Sequence, residues 1–128
     1  MLFFCLTISA QMANTDSLKL VARISTDQLK LGKLQNSVGD KIKDKQDAAN
    51  QAQISADANS TAAEKLSNDP QDKKLARKAD NKAGDAKSDA RRARKEAARL
   101  DNLNKNIESL ERTIADEQIK LNRYIHTY

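Results

Sequence analysis

Residues 67–72 read Ser67-Asn68-Asp69-Pro70-Gln71-Asp72 and contain the only proline of the chain. Proline lacks a backbone N–H, so it suits the first turn of a helix and disrupts a helix interior. Asp69 can cap a new helix with its side-chain oxygen, and Asp72 adds a negative charge near the positive end of that helix. The segment therefore predicts that one helix ends and another begins here, with a turn at 67–69.

The sequence on both sides of this turn favours long helices. Alanine, lysine, glutamine and leucine are abundant, and these residues lose little rotamer freedom in a helix. Only 3% of the 128 residues are aromatic and 38% are hydrophobic, against 32% charged, which is too little apolar material for a thick globular core. We predict an all-α protein whose residues 11–128 form one long antiparallel helical hairpin, a two-helix coiled coil, with helices over about 15–66 and about 70–125.

Apolar residues in the second stretch alternate spacings of three and four, which is typical of a coiled-coil contact surface. They are Ala76, Ala79, Ala83, Ala86, Ala90, Ala93, Ala97 and Leu100, followed by Leu103, Ile107, Leu110, Ile114, Leu121 and Tyr124. The steps from residue 97 to 100 and from 100 to 103 are both three, so we predict a stammer that overwinds the helix pair there.

The first stretch shows the same design in reverse order. Its larger residues come first, namely Val21, Ile24, Leu31, Leu34, Val38 and Ile42, and Ala49, Ala52, Ala56, Ala63 and Leu66 follow. Reversal near Asn68 pairs positions whose numbers sum to about 141 or 142, so Ala56 meets Ala86 and Val21 meets Leu121. The hairpin is thus predicted to be alanine-rich near the turn and rich in leucine and isoleucine at the open end.

The sequence leaves two alternatives to the long hairpin open. Glycine weakens a helix interior, so a break near Gly39 is plausible and would give a shorter, compact bundle. Substantial disorder is the remaining alternative, because so polar a composition buries little apolar surface.

The first ten residues, Met1 to Ala10, form an uncharged apolar run that ends in small residues. This pattern is typical of a signal peptide, whereas a membrane-spanning helix needs roughly 20 apolar residues. We therefore predict export to the periplasm or the medium, with residues 1–10 removed. The only cysteine, Cys5, lies in this run, and the mature chain would then contain no disulfide.

No pattern of catalytic or ligand-binding residues is present. His126 is the only histidine and lies near the end of the chain, so two-histidine metal sites are excluded within one chain. The three glycines are too far apart to form a phosphate-binding loop. We predict that the protein is not an enzyme and binds no cofactor, metal or small-molecule substrate.

Charge is the one feature that could specify a partner. The formal net charge is +5, and residues 73–99 hold eleven basic and four acidic side chains. The basic residues are Lys73, Lys74, Arg77, Lys78, Lys82, Lys87, Arg91, Arg92, Arg94, Lys95 and Arg99. Such a face can bind an anionic envelope polymer, a membrane surface or nucleic acid. Acidic residues interleave with the basic ones, so a solvated face with i to i+4 ion pairs is the simpler interpretation. Nucleic acid is disfavoured because no aromatic stacking residue lies in this segment.

Two protein families resemble parts of the chain. The abundant Ala, Lys, Asp and Gln of residues 40–99 resemble late-embryogenesis-abundant proteins in composition, which implies a protectant that is disordered in dilute solution. The alanine repeat of residues 76–97 resembles the murein lipoprotein of outer membranes, which implies a structural helix in the cell envelope. Residues 1–5 and Tyr128 do not match the lipidated cysteine and terminal lysine of that family.

The predicted function is that of an exported coiled-coil spacer, scaffold or interaction module. The alternatives are a basic helical binder of anionic partners through residues 73–99, and a disordered protectant. The sequence also allows self-association into a dimer or a four-helix bundle. Apolar residues such as Ile54 lie off the predicted contact surface and would suit a second interface.

Overall fold

The computed structural model describes residues 15–126, which form two α-helices. Helix α1 spans Thr15–Asn68 and helix α2 spans Lys73–His126, and each contains 54 residues. The helices pack against each other, and residues 15–126 contain no strand. The predicted all-α helical hairpin is confirmed. The predicted signal segment, residues 1–10, lies outside the described residues.

A turn of four residues, beginning at Asp69, joins the two helices. The N–H of Asp72 donates to the carbonyl oxygen of Asp69 at 3.2 Å, and Pro70 occupies the second turn position, where its fixed φ is favourable. The Asp72 side chain accepts hydrogen bonds from the N–H groups of Lys74 at 2.8 Å and Leu75 at 3.2 Å. This is the bonding pattern of a helix N-cap. Asp72 rather than Asp69 therefore caps α2, which begins three residues after Pro70.

The helices divide into two compact units, residues 37–104 and residues 15–36 with 105–126. In residues 37–104, the buried and half-buried side chains recur at spacings of three and four, and we call the following set the seam. It comprises Ala48, Ala52, Ser55, Asn59, Ala62 and Leu66 on α1, and Leu75, Ala79, Lys82, Ala86, Asp89, Ala93, Glu96, Leu100 and Leu103 on α2. Ala48 is the most buried of these residues, with 1% of its surface exposed.

Seven alanines that the sequence pattern places in the contact surface lie beside the seam. Ala49, Ala56, Ala63, Ala76 and Ala83 are exposed, and Ala90 and Ala97 are half-buried. Each of them directly follows a seam residue, so it is rotated by about 100° around its helix axis. The prediction is wrong for the five exposed positions, whereas Ala90 and Ala97 are half-buried like the seam residues Ala86 and Ala93. The predicted stammer is also wrong. The seam passes through residues 96, 100 and 103 in regular steps of four and three.

The seven alanines form one surface, which we call the alanine face. In an antiparallel pair, the positions that follow the seam by one residue lie on the same side of both helices, because both helices are right-handed. The opposite side of residues 37–104 carries Gln51 from α1 and Arg92 and Arg99 from α2. This unit therefore has two chemically different sides.

The unit formed by residues 15–36 and 105–126 has a core of larger side chains. Leu20, Ile24 and Leu121 form a buried cluster, and Val21 and Ile125 pack against it. Ile24 is only 1% exposed. Val21 packs against the cluster that contains Leu121, as expected from the predicted pairing of these two residues.

Glycine does not interrupt α1. Both Gly32 and Gly39 lie within the helix, and no described residue has a positive φ. Helix α1 is therefore continuous through Gly39, as the predicted hairpin requires, and the alternative of a break there is wrong. A Cβ built on Gly39 would meet no atom within 4 Å, so space does not require glycine at this position.

Candidate functional site

A polar network crosses the seam of residues 37–104. The hydroxyl of Ser55 donates a hydrogen bond to Oδ2 of Asp89, and Nε2 of Gln51 donates to the same oxygen at 3.5 Å. Ser55 is 7% exposed, so this side chain is satisfied inside the interface. The network directs the Asp89 carboxylate toward α1 and away from the basic residues of α2.

Glu96 lies one heptad after Asp89 and is also turned into the seam. It is 8% exposed, and its Oε1 accepts a hydrogen bond from Nη1 of Arg99 at 2.6 Å. Its Oε2 is buried and has no hydrogen-bond partner among residues 15–126. A carboxylate in this position engages one arginine and leaves the other nearby cations unpaired.

Two carboxyl groups face each other in the unit of residues 15–36 and 105–126. Burial raises the pKa of Glu117, and the hydrogen bond and the negative charge of the facing Asp27 raise it further. Arg23 and Lys120 oppose this shift by lowering the pKa of Glu117. Glu117 therefore takes up a proton at a higher pH than an isolated glutamate does, and in its protonated form it can donate to Asp27.

The eleven basic residues predicted to contact an anionic partner all lie on α2, but they do not share one side of it. Lys73, Lys87 and Arg94 occupy equivalent heptad positions next to the alanine face. The side away from the alanine face and the outer surface carry Lys74, Arg77, Lys78, Arg91, Arg92, Lys95 and Arg99. Lys82 is half-buried in the seam. The structure thus divides the predicted surface into three parts.

Five polar residues gather on this second side of α2. Ser88, Arg91, Arg92, Lys95 and Arg99 line an open surface depression together with Glu96, and we call these five residues the arginine cluster. Within the described chain, only Arg99 of this cluster has an ion pair, with Glu96. The cluster therefore presents three cations whose charge no neighbouring carboxylate compensates.

Other kinds of site find little support in residues 15–126. No group of three or more His, Cys, Asp or Glu side chains in this range could hold a metal ion. Neither described helix combines the length and apolarity needed to cross a membrane. His126 is the last residue of α2 and is exposed.

Comparison of the chain with protein-family models, curated proteins and solved structures gives no significant match.

Asp89 and Glu96 lie in the seam and not, as predicted, on the surface as partners of the basic residues. A signal for their position exists, because steps of seven back from Leu103 reach residues 96, 89, 82 and 75. The last of these is Leu75. Two leucines in the same heptad position identify the seam even though three polar residues stand between them.

Proposed function

We propose that the protein acts without catalysis, as an exported coiled-coil scaffold, spacer or interaction module of the cell envelope or the extracellular space. The supporting observation is the two-sided character of residues 37–104. One side carries the alanine face, and the other carries the arginine cluster. Small side chains permit close approach of another helix, whereas exposed cations favour an anionic partner.

Self-association through the alanine face is the form of this function that is simplest to test. Sedimentation across a concentration range is expected to show a dimer or a four-helix bundle for the wild type. Ala83→Asp places a charge on the alanine face and is expected to shift the protein to monomer. Ala98→Asp adds the same charge at an exposed position outside that face, so it should leave the mass unchanged. A monomeric wild type at all concentrations would refute self-association.

Export is the second part of this proposal, and the apolar run from Met1 to Ala10 supports it. N-terminal sequencing of protein recovered outside the cytoplasm is expected to begin at Gln11. Retention of Met1 on a cytoplasmic protein would contradict export. Circular dichroism in dilute buffer is expected to show mostly helix, and a mostly coil spectrum would favour the disordered protectant instead.

A second candidate function is binding of anionic polymers or membrane surfaces through residues 73–99. It is favoured by the orientation of Asp89 and Glu96, because these two acids turn into the seam and leave Arg91, Arg92 and Lys95 unpaired. Binding that weakens steeply with added salt would support this function. Indifference of the protein to every polyanion tested would refute it.

A further inference from the structure

The arginine cluster is compact enough for its cations to act together. Arg91, Lys95 and Arg99 follow one another at intervals of four residues, and Arg92 and Arg99 are one heptad apart. Residues three, four and seven apart share a side of a helix, so all four cations project from one side over about 12 Å of helix length. The hydroxyl of Ser88 adds a hydrogen-bond donor at the edge of the cluster.

Intramolecular carboxylates neutralise only one cation of this cluster, Arg99. The carboxylate of Asp89 accepts its hydrogen bonds from Ser55 and Gln51 of α1. Glu96 pairs with Arg99, and the two remaining acids of residues 73–99, Asp80 and Asp85, have no ion pair in the described chain. Asp85 also lies seven residues before Arg92, which is about 10 Å along the helix. Arg91, Arg92 and Lys95 therefore keep their full charge toward solvent.

The side chains of the cluster suit phosphate groups better than isolated small anions. Three of its four cations are arginines, whose planar forks bind phosphate oxygens in pairs. No aromatic residue lies in residues 37–104, so stacking on nucleic-acid bases has no partner there. The residues lining the depression are all polar, which favours attachment at the level of the headgroups over insertion into the acyl chains.

A second group of cations extends the same side of α2 toward the turn. Arg77 and Lys78 lie two heptads before Arg91 and Arg92, so the two pairs occupy equivalent positions about 21 Å apart. A planar layer of phosphate headgroups can contact both pairs at once, and adjacent cations near an anionic surface contribute additively to binding.

We propose that the arginine cluster is a docking site for the phosphate headgroups of an anionic membrane surface. The inference rests on the second function proposed above, and it assigns that function to one side of α2 and to one partner. Arg91, Arg92 and Lys95 supply the primary contacts, Ser88 donates to a phosphate oxygen, and Arg77 and Lys78 contact the same surface nearer the turn.

Co-sedimentation of the full chain with vesicles tests this inference. Vesicles that mix phosphatidylcholine and anionic phosphatidylglycerol in a two-to-one ratio are compared with pure phosphatidylcholine, at low and at physiological salt. The variant Arg91→Gln/Arg92→Gln/Lys95→Gln is expected to bind the anionic vesicles roughly a hundredfold more weakly, at about fivefold for each cation removed. The matched control Lys73→Gln/Lys87→Gln/Arg94→Gln removes the same charge from the other side of α2 and should bind within about threefold of the wild type.

Each outcome separates the inference from the function on which it rests. Equal loss in the two triple variants would overturn the assigned side of α2 and keep anionic binding. Tight binding to duplex DNA without binding to the vesicles would overturn the membrane partner and likewise keep anionic binding. Wild-type indifference to both the vesicles and DNA at low salt would overturn the inference and the anionic-binding function together.

Discussion

Aspartate substitutions at two neighbouring alanines test the position of the seam. Ala48 is 1% exposed, whereas the adjacent Ala49 is exposed. Ser55 faces Asp89 across the two helices. Ala48 lies one heptad before Ser55 and Glu96 lies one heptad after Asp89, so these two positions also face each other in the antiparallel pair. The carboxylate introduced by Ala48→Asp therefore points toward Glu96. Both variants carry the same helix-propensity cost, up to about 0.7 kcal/mol.

The difference between the two variants isolates the effect of burial. Placing a polar group in a buried site without a partner costs about 1–3 kcal/mol, and repulsion from Glu96 adds to that cost. We therefore expect Ala48→Asp to lower the free energy of unfolding by about 2–4 kcal/mol and Ala49→Asp by less than about 1 kcal/mol. For a domain of this size, the corresponding losses in Tm are about 8–16 °C and below about 4 °C.

Thermal unfolding followed by circular dichroism measures both effects under identical conditions. Chemical denaturation gives the free energies independently, provided that the slope with denaturant is the same for both variants. If Ala49→Asp proved as damaging as Ala48→Asp, or more damaging, the seam would have to pass through the alanine face, and its assignment to Ala48 and the other seam residues would be refuted.

Three further predictions concern other parts of the molecule. Ile24→Ala removes the largest fully buried side chain of residues 15–126 and is expected to lower the free energy of unfolding in denaturant by about 2–4 kcal/mol. Leu29→Ala, at a side chain that is 62% exposed, should lower it by less than about 0.5 kcal/mol, and similar losses in the two variants would place Ile24 outside the core. Because the pKa of Glu117 is raised, its contribution to stability is fully present below the ordinary value of 4.5 and is lost as the pH rises through the raised value. Glu117→Gln should therefore flatten the dependence of Tm on pH above 4.5, and an unchanged profile would count against the carboxyl pair. Gly39→Ala is expected to raise the free energy of unfolding by about 0.5–1 kcal/mol, since an added methyl group meets no atom within 4 Å, and a loss of stability would indicate a break in α1.

The hairpin itself could be predicted from the sequence because its signals are local. Pro70 stands between two long helix-favouring stretches, and large residues recur at both ends of the chain. Asp69 and Asp72 are both suitable caps in the sequence, and only the hydrogen bonds from the N–H groups at 74 and 75 distinguish them. Such a choice depends on where the turn closes, which residue types alone do not determine.

The rotation of each helix could not be predicted in residues 37–104, because hydrophobicity is a poor guide there. The alanines of the alanine face are regularly spaced but bury little area, whereas Leu75 and Leu103 bury more and share one heptad position. Between them the seam accepts Asp89, because Ser55 and Gln51 provide its hydrogen bonds. A pattern that counts only apolar residues excludes this arrangement.

Predicting the candidate site required knowledge of the same rotation of each helix about its axis. The basic residues are evident in the sequence, and so are the acids between them. Whether those acids neutralise Arg91 and Arg92 depends on the direction in which Asp89 and Glu96 point. Turned outward, they would have formed i to i+3 and i to i+4 pairs with the cations; turned into the seam, they leave the arginine cluster charged.

A distance between the two helices, measured by double electron–electron resonance, tests the hairpin most directly. Nitroxide labels are placed at Gln53→Cys and Lys87→Cys, two exposed positions on α1 and α2, in a Cys5→Ser background and with an excess of unlabelled protein to suppress contacts between chains. The axes of packed antiparallel helices lie about 8–10 Å apart, so we predict a label distance below about 25 Å. A distance of roughly 50 Å, which one continuous helix from position 53 to position 87 would give, would contradict the reversal at Pro70.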